Sequence, residues 1–128
     1  MIPFLRGRMA SFKPAFAGFR FVMGSQPNAK VHAFISVSVI LAGLWLGLDA
    51  GRWGFIVLAM ATVWIAELVN TSLEALVDLV SPDHHRLAML AKDVSAAAVV
   101  IAALSAVVIG VLVFGPPLWE LASSRFGG

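Results

Sequence analysis

From Val31 to Leu48, again from Trp53, and once more from about Leu87, the chain runs almost wholly apolar. Each run approaches or exceeds the roughly 20 residues that a helix needs to cross a hydrocarbon layer about 30 Å thick. The chain has 128 residues, 60% of them hydrophobic, and a mean hydropathy of +0.94. A soluble globular domain carries roughly 45–50% apolar residues. The expected fold is therefore all-α and integral to a membrane, a single domain over residues 1–128 with room for three spanning helices and short connections.

The breaks between the runs set the expected boundaries. Residues 4–23 predict a surface helix, because Phe12, Phe16, Phe19 and Met23 recur on one side while Lys13 and Arg20 take the other. Such a helix lies in the interface plane, apolar side down. Gly24, Ser25, Gln26 and Pro27 end it. Spanning helices are expected over 31–48, 53–80 and 87–114, with a turn at Asp49–Arg52 and a break at Ser81, Pro82 and Asp83. Gly115, Pro116 and Pro117 are expected to stop the last one. Arg6, Arg8, Lys13, Arg20 and Lys30 precede the first span, and Arg86 and Lys92 flank the second connection. The positive-inside rule places both segments in the cytoplasm and the C-terminus outside, with Trp45, Trp53 and Trp119 near the outer boundary. Cysteine is absent, which excludes disulfides, thiolate metal sites and thiol nucleophiles. A removable signal peptide is not expected, because Lys13, Pro14 and Arg20 interrupt the N-terminal segment.

Against this background the polar residues stand out. Glu67, Asn70, Glu74 and Asp78 lie inside the second span and its extension, and Lys92 and Asp93 open the third. At about 100° per residue the first four share an arc of roughly 80° on one helix face. Carboxylates so aligned repel one another, by a few tenths of a kcal/mol for an i,i+4 pair, so a positive partner is expected. Magnesium suits them, because it takes carboxylate oxygens and keeps waters or phosphate oxygens as its other ligands. Glu74 is the expected principal metal ligand. Lys92 then neutralises phosphate beside a helix N-terminus, and Asp93 orders Lys92 or accepts from a sugar. About 21 Å of helix separates Trp53 from Glu67, which sets Glu67 at the cytoplasmic edge of the hydrocarbon. Partial desolvation there makes it the candidate general base for a lipid hydroxyl. Asp78 is expected at the helix end, on the polar face or paired with Arg86. His32 is expected at the entrance of the first span with no local acidic partner. Small residues along the third span, Ser95 to Ala98 and Ala102 to Ala106 among them, favour close helix association.

The run Glu67-Leu-Val-Asn70-Thr-Ser-Leu-Glu74-Ala-Leu-Val-Asp78, with His85 and Ala91-Lys92-Asp93, resembles the signature of the small bacterial integral-membrane diacylglycerol kinase and undecaprenol kinase family. Ser11-Phe12-Lys13, Gly18, Asn28 and His32 extend the resemblance over nearly the whole chain. It implies a homotrimer of three-helix subunits in the bacterial cytoplasmic membrane, with ATP and Mg2+ at sites shared between subunits. It also implies that Glu67 accepts the proton, that Glu74 binds metal, and that Asp83, His84, His85, Lys92 and Asp93 contact the nucleotide. A second metal-binding glutamate belongs where this chain has Gln26, a neutral and weaker ligand. Ala96 stands where the diacylglycerol kinase branch has serine, which favours undecaprenol as the lipid acceptor. The alternatives are a diacylglycerol kinase making phosphatidic acid and a catalytically weakened lipid-binding module. A proton-conducting oligomer is a poorer reading, since it wants acids at the bilayer midplane. No nucleic-acid partner is expected.

Overall fold

The computed structural model describes the backbone of residues 2–126 and the side chains of residues 12–125. The side chains of Arg6, Arg8 and Ser11 lie outside the described residues. Four helices follow one another, α1 (Ile2–Ser25), α2 (Pro27–Leu46), α3 (Ala50–Val80) and α4 (Arg86–Phe126), and no strand occurs among the described residues. The last three are each long and apolar enough to cross a membrane. α3 packs most extensively against α4, while α2 lies against α3 more loosely and α1 reaches both α2 and α3.

The connections are short and chemically determined. Pro27 at the first turn of α2 disfavours helical backbone in the residue before it, and Gln26 is extended, with φ −105° and ψ 116°. One residue thus turns α1 away from α2. At the other end Gly47 adopts φ +64°, and Leu48 N–H closes the cap by donating to the Gly43 carbonyl at 3.1 Å. Asp49 then caps α3, accepting from Arg52 N–H at 3.1 Å. That bond holds the Asp49 carboxyl below its ordinary value, so the cap is complete at neutral pH and is lost only on acidification through the lowered value. The turn therefore falls at Gly47–Asp49, earlier than the expected Asp49–Arg52, because the left-handed glycine ends α2 and the aspartate already starts α3.

α4 corrects a second expectation, since it continues through Pro116 and Pro117 to Phe126 and does not stop near Phe114. Gly115 has no Cβ to clash with the first proline ring, which relieves much of the pre-proline penalty. Pro117, Glu120 and Leu121 then line a hollow with Trp45 and Leu46, beside the end of α2.

Apolar and polar burial sit at opposite ends. Leu48, Ile56 and Val113 form a buried cluster near the Gly47 turn, with Trp53, Met60, Ile109 and Phe114 against it. Toward the Gln26 end lie the buried polar residues Glu67, Asn70, Thr71 and Ser95, with Ala29 fully buried at the start of α2. α1 joins this end: Val22 is buried, and the Phe19 ring lies 5.1 Å from that of Trp64, while Phe12 and Phe16 stay exposed. Trp64 also donates from its indole N–H to Ser36 Oγ at 3.1 Å, so it links α1, α2 and α3.

A Cβ on Gly43 would stand 2.9 Å from the Trp53 ring, and a side chain on Gly47 would meet left-handed backbone strain. Gly43→Val is expected to cost about 1–3 kcal/mol by overpacking, and Gly47→Ala about 1–2 kcal/mol. Gly54→Ala, which meets open space on α3, should stabilise slightly. Thermal unfolding midpoints of the three variants in detergent check this order.

Candidate functional site

Among the described residues the largest fully buried side chain is a carboxylate, that of Glu67, at 1% exposure. Its helix face carries it against α2, where the expected isolation of His32 does not hold. His32 Nε2 lies 3.1 Å from Glu67 Oε1. The contact lacks the alignment of a hydrogen bond, and Oε1 remains without a hydrogen-bond partner. One turn further along α3 the buried hydroxyl of Thr71 is also unpartnered. Two orphaned oxygens one turn apart in a desolvated place are costly unless something polar enters.

Beyond them a line of side-chain bonds crosses three elements. Gln26 Nε2 donates to Glu74 Oε2 at 3.2 Å, and Asn70 Nδ2 donates to Glu74 Oε1 at 3.1 Å. Ser95 Oγ lies 2.7 Å from Asn70 Oδ1 and 2.8 Å from the Lys92 carbonyl oxygen, its one proton shared between them. The elbow at Pro27 makes this possible: Gln26 makes no capping bond with its side chain, which leaves the amide free to reach Glu74.

At the head of α3 and α4 the remaining candidates gather differently. Asp78, Asp83, His84, His85 and Lys92 line a hollow of about 190 Å³ with Ser81 and Pro82. Lys92 Nζ donates to Asp78 Oδ1, so Asp78 pairs with Lys92 and not with Arg86. The reason is register, because the short Ser81–His85 link brings Lys92 back opposite the last turns of α3. His85 also caps α4, accepting from Leu87 N–H through Nδ1 at 3.2 Å. Asp93 is exposed and outside this hollow, and Ala96 is exposed beside buried Ser95.

Two further hollows are apolar. One, of about 270 Å³, lies between α2, α3 and α4, with His32 and Ser36 among Ile35, Val39, Ile56, Val63, Ala103 and Val107. The other runs along α3 and α4 over Asn70 and Ser95. Helical spacing sets Glu67, Asn70, Glu74 and Asp78 on one face of α3, whereas His32, Thr71 and Ser95 join them only through burial and packing. Thr71 carried a signal in its i,i+4 spacing from Glu67. Ser95 reads in the sequence only as a small packing residue.

A magnesium ion tests differently against the two ends. Among the described residues no three His, Asp or Glu side chains gather to hold an ion by themselves. Glu74 keeps unused lone pairs beside the Gln26 amide, which fits an ion that brings phosphate oxygens with it and takes one protein carboxylate.

Ser95→Ala strips the buried Asn70 carbonyl oxygen of its hydroxyl partner. A loss of about 1–3 kcal/mol is expected, read as a lowered unfolding midpoint, whereas Ser105→Ala on the exposed side of α4 should leave the midpoint unchanged.

Comparison with known sequences covers nearly all of these residues. The family model described as prokaryotic diacylglycerol kinase matches residues 13–114. The chain is 41% identical over 114 residues to a diacylglycerol kinase of Synechocystis sp., a match spanning 88% of this chain and 65% of that protein's length. It is 35% identical over 108 residues to the undecaprenol kinase of Bacillus subtilis, 84% of this chain and 88% of that one. It is 37% identical over 75 residues to the diacylglycerol kinase of Escherichia coli, 56% of this chain and 62% of that one. With Gln26, Glu67, Glu74 and Lys92 all inside the matched span, the chain belongs to the prokaryotic diacylglycerol kinase family.

Proposed function

We propose that this chain transfers the γ-phosphoryl group of ATP to the hydroxyl of a membrane lipid, with undecaprenol as the acceptor. The observation that carries the reading is the order of groups along one face of α3. Buried Glu67 comes first, Glu74 with Gln26 and Asn70 follows, and Asp78 with Lys92 stands at the polar hollow. Acceptor chemistry and phosphate chemistry are thereby separated along a single helix, about 10 Å apart for residues two turns from each other.

In this reading the lipid chain lies among apolar side chains while its hydroxyl meets Glu67. Glu67 takes the hydroxyl proton as the oxygen attacks phosphorus, and burial keeps water away from the same phosphoryl group. Lys92, Asp83, His84 and His85 hold the nucleotide, with Asp93 at the outer edge. Asn70 and Ser95 orient Glu74. Mg2+ bound with ATP at Glu74 would draw negative charge from the phosphates, and the rest of the catalysis is positioning. The basic residues Lys30, Arg86 and Lys92 support a cytoplasmic site in a bacterial cytoplasmic membrane, with the C-terminus outside. Exposed Val107, Val111 and Leu112 on α4 suit lipid or sister subunits in the homotrimer that the family resemblance implies.

A second reading, diacylglycerol as acceptor, is favoured by the name of the Synechocystis relative. Phosphorylation of undecaprenol and diacylglycerol by purified protein separates the two, and Ala96→Ser should shift preference toward diacylglycerol if Ala96 selects the lipid. Glu67→Gln is expected to lower turnover by about 10²–10⁴-fold; undiminished turnover would remove Glu67 as the base. Gln26→Glu is expected to tighten Mn2+ binding, measured by titration of the nucleotide-bound protein, because it adds a carboxylate where an amide now bonds Glu74. Unchanged Mn2+ affinity would remove residue 26 from the metal site.

A further inference from the structure

A base buried as deeply as Glu67 must release the proton it has taken before it can act again. At 1% exposure it meets almost no solvent. Its neighbours along α3 offer no relay: Asn70 is committed to Glu74 and Ser95, and the Thr71 hydroxyl is itself buried. Among the described residues the one titratable side chain touching Glu67 is His32, with Nε2 at 3.1 Å from Oε1 and a side chain 16% exposed against 2% for the glutamate.

We propose that His32 is the proton exit of Glu67, a positioning and relay residue that returns the base to its carboxylate form after each transfer. The inference rests on Glu67 acting as the base in the reading above. The oxygen of the lipid hydroxyl forms its bond to the γ-phosphorus while the bond from that phosphorus to the β,γ-bridging oxygen breaks. ADP leaves with that electron pair, and the hydroxyl proton passes to Glu67. In the receptive state His32 is neutral, with its proton on Nδ1 and Nε2 unprotonated beside Glu67. The proton crosses from the carboxyl to Nε2, giving an imidazolium beside a carboxylate. The imidazolium ring then turns Nε2 toward water and releases the transferred proton there, keeping the one on Nδ1, so the receptive tautomer is restored. Imidazole suits this work because it gains and loses a proton near neutral pH. The missing alignment between Nε2 and Oε1 fits a pair that bonds only while a proton is in transit.

A purely structural role would need only a polar group of similar size, so glutamine tests the difference. His32→Gln should lower kcat by about tenfold or more, with KM for lipid and for ATP changed less than about twofold. His32→Ala should be equally slow and should regain turnover when imidazole is added to the assay. Rates are expressed per ATP-binding site, which removes misfolded protein from the comparison. Wild-type turnover by His32→Gln, or no gain from imidazole in His32→Ala, overturns the proton exit. Undiminished turnover by Glu67→Gln instead overturns the base itself. An inactive Glu67→Gln beside a fully active His32→Gln overturns the exit alone.

Discussion

Glu74 accepts from Gln26 on one side and from Asn70 on the other, and Asn70 accepts from Ser95 in turn. This line ties the α1–α2 elbow to α3 and α3 to α4. Beside it, buried Val22 and Ala29 and the contacts of Trp64 with Phe19 and Ser36 hold the polar end, while the larger apolar cluster lies at the opposite end, around Leu48, Ile56 and Val113. In an environment as apolar as the side chains themselves, hydrogen bonds and close packing decide which helix faces which. The line supplies that choice here, and it does so with the groups that the proposed chemistry uses.

Stability and chemistry are consequently separated along the length of the helices. The Gly47 turn, the Asp49 cap and the approach of Gly43 to Trp53 fasten the hairpin at one end. The other end carries buried oxygens with unmet bonding capacity at Glu67 and Thr71. A protein keeps such groups where a ligand or a proton will meet them, since each costs free energy when left alone.

Much of this was legible from short-range pattern. The spacing of residues 67, 70, 74 and 78 fixes their common face wherever α3 lies, because helical periodicity is local. What could not be read is whatever depends on a second element. Gln26 and Glu74 are 48 positions apart, and Asn70 and Ser95 are 25 apart. His32 meets Glu67 only because α2 packs on α3. The end of α4 misled for a different reason, since proline ordinarily halts a helix, yet a glycine before the pair removes part of the clash. His85 illustrates a double assignment: a residue read for the nucleotide also caps a helix.

The elbow at Gln26 has an evolutionary consequence. The bend there is demanded by the ring of Pro27 and falls on the backbone of the preceding residue, whatever its side chain. Shape and chemistry are thus encoded by neighbouring positions and not by the same one. A lineage can exchange amide for carboxylate at position 26, retuning the charge around Glu74, and leave the path of the chain untouched.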